Sequence, residues 1–87
     1  MLRMATEARP QFSPSSPVPL YVQAADWIAG LIESGTWLPG RKLPAERDLA
    51  DDWQLAYGTI RRTMEELRER GLIVTVQGKG TFVARPG

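Results

Sequence analysis

Between residues 19 and 34, apolar side chains return every three or four positions. Tyr21, Ala24, Ala25, Ile28, Leu31 and Ile32 fall on one face and predict an amphipathic helix. Asp26 and Glu33 lie off that stripe. Gly35 follows the last apolar pair, where a left-handed residue ends a helix. The period is lost over residues 36–44. Pro39-Gly40 is a turn dipeptide there, and Trp37, Leu38 and Leu43 are expected to pin this connector to the core. Pro44 stands at or just before a second helix start. Glu46 and Asp48 fall in its first turn, where negative charge suits the helix dipole. Leu49, Ala50 and Trp53 give this short helix its apolar face, and Ala45 is a poor cap for it.

Gln54-Leu55-Ala56 reads as a turn, and a third helix is expected over residues 57–70. Ile60, Met64 and Leu67 form its single buried stripe, so Tyr57, Thr59, Arg61, Arg62 and Glu66 point elsewhere. Glu66 and Arg70 have the favourable order for a four-residue ion pair, and Gly71 closes the helix. Leu72-Ile73-Val74-Thr75-Val76 is a strong strand former. Gln77-Gly78-Lys79-Gly80 is a glycine-rich turn, and Thr81-Phe82-Val83-Ala84-Arg85 is the returning strand of a hairpin with a basic tip. Residues 1–18, with Pro10, Pro14, Pro17, Ser13, Ser15 and Ser16, keep no period and read as a mobile tail. The prediction is one mainly α domain over residues 19–85: three helices and a two-stranded wing.

Composition narrows what such a domain can do. The chain has 87 residues, 43% of them apolar and 24% charged, which suits one small core. It contains neither cysteine nor histidine, which removes disulfides, thiolate metal sites and the commonest general base. No enzyme activity and no cofactor are expected. The adjacent acids Asp51-Asp52 and Glu65-Glu66 point about 100° apart on their helices and do not converge. No apolar run approaches the ~20 residues of a membrane span, and the N-terminus lacks a signal-peptide core, so a soluble cytoplasmic protein is expected.

The net charge of +1 hides an asymmetry. Residues 19–56 hold three bases and six acids, a net of −3, whereas residues 57–87 hold six bases and three acids, a net of +3. One basic half suggests a surface built for a polyanion.

Two helices of unequal length joined by a three-residue turn suggest a helix-turn-helix. In that motif the start of the second helix meets base edges in the major groove. Here that start is Tyr57-Gly58-Thr59-Ile60-Arg61-Arg62. Arginine can donate two parallel hydrogen bonds to guanine O6 and N7. Threonine can bond a phosphate or meet a thymine methyl group. Tyr57 offers a ring and a hydroxyl to the backbone, and Gly58 removes bulk where a helix would approach DNA. The hairpin adds a second contact. Gln77 and Gly78 belong to its tip, glycine permits close backbone approach, and Lys79 supplies positive charge.

Several stretches resemble the N-terminal domain of GntR-family transcription regulators. They are Pro19-Leu20-Tyr21, Ile32-Glu33-Ser34-Gly35, Leu38-Pro39-Gly40-Arg41-Lys42-Leu43-Pro44-Ala45-Glu46-Arg47-Asp48-Leu49-Ala50 and Thr59 through Leu67. Gly71-Leu72-Ile73 and Gly78-Lys79-Gly80-Thr81-Phe82-Val83 complete the series. The resemblance covers about residues 19–84. It implies a winged helix-turn-helix that binds an operator in double-stranded DNA as a two-fold dimer, with repression the expected output. It implies DNA contact for Arg47, from the second helix, for Thr59 and Arg61, and for Gly78 in the wing. Ala56-Tyr57 departs from the family's usual serine-arginine pair, which loses a helix cap and one arginine contact. Family members carry a larger C-terminal domain that binds an effector and dimerises, and no effector domain is expected within these residues.

Plainer roles compete at several positions. Glu46 or Asp51 can hold Arg47 in an ion pair, and Glu66 can do the same for Arg62. Trp27, Trp37 and Trp53 are expected in core or loop packing rather than as platforms for bases. Arg3 and Arg9 belong to an inert tail, or else to a loose arm touching phosphates. The alternative for the whole chain is a winged-helix protein-interaction module that meets an acidic partner and binds no DNA.

Overall fold

A computed structural model describes residues 10–86. Helices α1 (Leu20–Glu33), α2 (Glu46–Trp53) and α3 (Tyr57–Glu69) are followed by strands β1 (Ile73–Val76) and β2 (Gly80–Val83). The strands pair antiparallel, with Ile73 opposite Val83 and Val76 opposite Gly80. This is the expected three-helix, two-strand winged architecture. No helix among the described residues is long and apolar enough to cross a membrane.

The core is built where the apolar periods predict. Ala25 and Ile28 of α1 join Ile60, Met64 and Leu67 of α3, Leu49 and Ala50 of α2, and Ile73 and Val83 of the wing. Alanines on the buried row of α1 let α3 approach closely. One polar side chain is buried among these, Thr63, and its hydroxyl, with a single proton, lies between two carbonyl acceptors. It donates toward the Thr59 carbonyl at 2.9 Å and the Tyr21 carbonyl at 3.1 Å, so it ties α3 to the first turn of α1. Beyond it, Arg70 bridges Glu66 at 3.0 Å and Asp26 at 2.9 Å. The bond to Glu66, then that to Asp26, raises the Arg70 pKa above its ordinary value.

Two apolar residues do not pack as expected. Trp27 is 41% exposed, because it lies roughly 100° round the helix from Ile28 and off the buried row. Leu38 is 62% exposed. It follows Trp37, whose larger ring takes the inward place and is covered by the Arg41 guanidinium, 4.6 Å from the ring centroid. Trp37 Nε1–H is buried without a protein acceptor among the described residues.

The connector is more ordered than its sequence suggests. The Leu43 N–H donates to the Thr81 carbonyl and the Val83 N–H to the Arg41 carbonyl, both at 2.8 Å; the Gly40 N–H donates to the Val83 carbonyl at 2.9 Å. Lys42 thereby stands opposite Phe82 as a one-residue third strand of the wing. The hairpin is thus hydrogen-bonded to the segment that leads into α2.

Residues 10–18, expected as part of a mobile tail, make specific contacts. Pro10 is buried. The Phe12 ring centroid lies 5.8 Å from that of Trp53 in a tilted arrangement. The Ser13 N–H donates to Gln23 Oε1 at 2.9 Å, and Gln23 Nε2 donates back to the Ser13 carbonyl at 2.9 Å and to Val18 at 2.8 Å. Proline- and serine-rich composition conceals this strap, because its anchors, Gln23 and Trp53, are distant in sequence. Residues 1–9, with Arg3 and Arg9, lie outside the described residues.

The turn between α2 and α3 depends on Gln54, a non-glycine residue with φ 56° and ψ 42°. That left-handed conformation lets the Leu55 N–H reach the Ala50 carbonyl at 3.0 Å. It costs an L-residue roughly 1 kcal/mol. Gln54→Gly is therefore expected to raise the melting temperature by roughly 2–5 °C in a thermal unfolding scan; a fall would contradict the assigned strain. Phe12→Ala should lower unfolding free energy by about 1–2 kcal/mol in a urea titration, because it removes a half-buried ring from Trp53.

Candidate nucleic-acid interface

The buried stripe of α3 decides where its other side chains go. Ile60, Thr63, Met64 and Leu67 face the core. At about 100° per residue, Tyr57, Arg61 and Arg68 then fall within about 40° of one another on one flank. Arg68 identifies that flank. Its Nη1 donates to Thr75 Oγ1 of β1 at 2.8 Å, and Thr75 meets Thr81 of β2 at 3.1 Å. Tyr57 and Arg61 therefore stand on the side of α3 that faces the wing.

Arg62 belongs to the opposite flank. Its guanidinium carbon lies 4.1 Å from the centroid of the Tyr21 ring, over the first turn of α1. The ion pair with Glu66 that sequence spacing permits is replaced by this stacking, and Glu66 pairs with Arg70 instead. Adjacent in sequence, Arg61 and Arg62 are separated by helical geometry.

Arg47 follows a similar rule. Its guanidinium carbon sits 5.4 Å from the centroid of the Tyr57 ring, within cation–π range, and no ion pair to Glu46 or Asp51 forms among the described residues. Tyr57 is 45% exposed, so the pair is open to solvent. The start of α2 is thereby joined to the start of α3 by an aromatic ring, at the position where the family resemblance implies an arginine. Arg47 and Tyr57 line an open hollow together with Lys42, Gly80 and Thr81, which places the starts of both helices beside the base of the wing.

The first turn of α3, like that of α1, has neither a side-chain cap nor an acid, and Ala56 makes no capping bond. Its free N–H groups and the positive end of its dipole face outward. Gly58 is exposed, and a Cβ built on it would meet nothing within 4 Å. Packing therefore gives no reason for glycine at a helical position where it is intrinsically unfavourable. Thr59 is half-buried, and its carbonyl receives the Thr63 hydroxyl.

At the wing, Gln77, Gly78 and Lys79 are all exposed. Gly78 has φ 81°, and the Lys79 N–H closes the turn on the Val76 carbonyl at 2.9 Å. Among the described residues, the Arg61 and Lys79 side chains have no hydrogen-bond or ion-pair partner. Sequence reasoning missed the Arg68–Thr75–Thr81 link and the pairing of the connector with β2. The first had a legible signal in the threonines facing each other across the predicted hairpin. The second had none.

The fold that carries these residues is similar to that of known proteins. The family model for bacterial regulatory proteins of the gntR family matches residues 20–83. The chain is 41% identical over 66 residues to the HTH-type transcriptional regulator SmoD of Agrobacterium fabrum, covering 76% of this chain and 28% of that protein. It is also 41% identical over 70 residues to the histidine utilization repressor of Pseudomonas aeruginosa, covering 80% of this chain and 28% of the relative. The chain thus spans little more than a quarter of these curated relatives. Among solved structures, a transcriptional antiterminator from Listeria monocytogenes superposes with a TM-score of 0.86 at 29% identity, over 92% of this chain and 60% of that one. The DNA-binding domain of AraR in complex with operator ORX1 superposes with a TM-score of 0.76 at 33% identity, over 87% of this chain and 98% of that one. With its helices, turn and wing all inside the matched span, the chain belongs to the GntR family of bacterial regulatory proteins.

Proposed function

We propose that this domain binds an operator in double-stranded DNA, selects its sequence with the start of α3, and regulates transcription in the cytoplasm, most simply as a repressor. The observation that carries this reading is the common flank of Tyr57 and Arg61, joined through Arg68 to the wing. On that flank Arg61 supplies the base-edge contact; Thr59, about 160° round the helix from Arg61 and half-buried, is assigned a phosphate or thymine contact at the edge of the interface. Arg47, stacked on Tyr57, supplies a backbone contact from α2. Gly58 allows the helix to come close. Gln77, Gly78 and Lys79 bring the wing to the phosphates or the minor groove. Arg62, held over Tyr21, is assigned to the edge of the contact and a largely structural role.

A repressor name among the relatives and an operator in the AraR complex support the same reading. Two copies on an inverted repeat would double a contact that is small for one domain.

Selection from random duplexes tests the reading directly. The expected result is a short inverted repeat. Arg61→Ala should then lose about 1–3 kcal/mol of discrimination at one base pair, read by titration against single-base variants. Lys79→Ala should weaken all duplexes alike and flatten the salt dependence by about 0.9 in log–log slope. Recovery of no enriched sequence, or an unchanged preference in Arg61→Ala, overturns the assignment. Gly58→Ala separates binding from folding: it should stabilise the domain by roughly 0.5 kcal/mol while weakening DNA binding. Equal or tighter binding by that variant removes the close approach of α3.

A further inference from the structure

We infer that Lys42, in the connector before α2, is a second phosphate-binding cation of the wing, and that Gly80 is glycine in order to carry it. The inference rests on the DNA-binding reading above and extends it to a residue outside the helix-turn-helix and outside the hairpin tip.

Three features place this side chain. The connector is fixed, because the residues on either side of Lys42 are hydrogen-bonded to β2 through Arg41 and Leu43. Leu43 turns inward and is buried, so its neighbour Lys42 turns outward and is exposed. The stem of Lys42 then crosses Gly80: a Cβ built on Gly80 would lie 2.7 Å from Lys42 Cε and 3.5 Å from Nζ. Gly80 has φ 131°, a conformation that L side chains rarely adopt. A missing side chain on the wing thus forms the track for a lysine from elsewhere in the chain.

The ammonium so delivered stands at the base of the turn that bears Lys79, since Gly80 ends that turn and opens β2. Lys42 and Gly80 also belong to the lining of the hollow that Arg47 and Tyr57 share. Glu46 is the acid in that lining, yet Lys42 makes no ion pair with it among the described residues. A cation held in position without an acidic partner, between the wing and the start of α2, suits an oxygen of the DNA backbone. Phosphate contacts set position and affinity without reading sequence. The wing then carries two such contacts, of which only Lys79 lies in the hairpin itself.

The test uses the whole chain and a fluorescein-labelled random-sequence duplex, titrated at several salt concentrations. Lys42→Ala should reduce the log–log salt slope by about 0.9 and weaken binding at low salt. Its melting temperature and the bases enriched in selection should stay as in the unmodified protein. Lys42→Arg should restore the slope. Gly80→Ala, checked for folding by thermal unfolding, should reproduce the loss, and the double variant should lose no more than either single one. An unchanged slope in Lys42→Ala, with the unmodified chain binding normally, overturns the inference and leaves the DNA reading intact. No binding by the unmodified chain at low salt overturns both.

Discussion

The rotation of α3 about its own axis is the constraint on which the rest of this molecule depends. Ile60, Met64 and Leu67 lock one side of the helix into the core, and the Thr63 hydroxyl on the same side reaches the Tyr21 carbonyl of α1. Burial of three large side chains contributes several kcal/mol, on the order of 1.5–3 kcal/mol each. A slip of one residue would turn the helix by about 100°, exposing that stripe and taking the Thr63 hydroxyl away from the Tyr21 carbonyl of α1. The stripe thereby also fixes what is not buried. It sends Arg61 toward the wing and Arg62 toward α1, a distinction that two adjacent arginines in a sequence do not display.

The wing is held to this helix from two directions. Arg68 reaches it from α3 through a pair of threonines. The connector pairs with its second strand, β2, through backbone bonds. A two-stranded hairpin alone is marginally stable in water, and these attachments let it keep a fixed attitude relative to α3. For the proposed contact of one rigid duplex with two separate elements, that attitude matters as much as the residues at the tip. Preorganisation of this kind reduces the ordering cost of association.

Much of the architecture was legible in the sequence because it follows from periodicity. Three- and four-residue steps located all three helices, and the glycine-rich turn between β-branched runs located the hairpin. The exposed candidates Tyr57, Gly58, Arg61 and Lys79 followed from the same frame. What escaped depended on contacts distant in the chain. Gln23 holding Ser13, Phe12 on Trp53, and Lys42 across Gly80 are each set by tertiary approach, and residue composition does not encode them. Trp27 and Leu38 escaped for a different reason. Large apolar residues were assigned to packing by type, while one helical step or one neighbouring tryptophan decided which of them could turn inward.

In the proposed complex the start of α3 and the wing tip present one continuous surface to a single duplex. The most direct measurement is a two-dimensional amide NMR titration of the chain with a selected duplex. The amides of residues 57–62 and 77–80 should shift together at the same stoichiometry, while the indole N–H of Trp27, 41% exposed on α1, stays in place. Shifts centred on Trp27 and Leu38, with Arg61 and Lys79 unmoved, would contradict that shared surface.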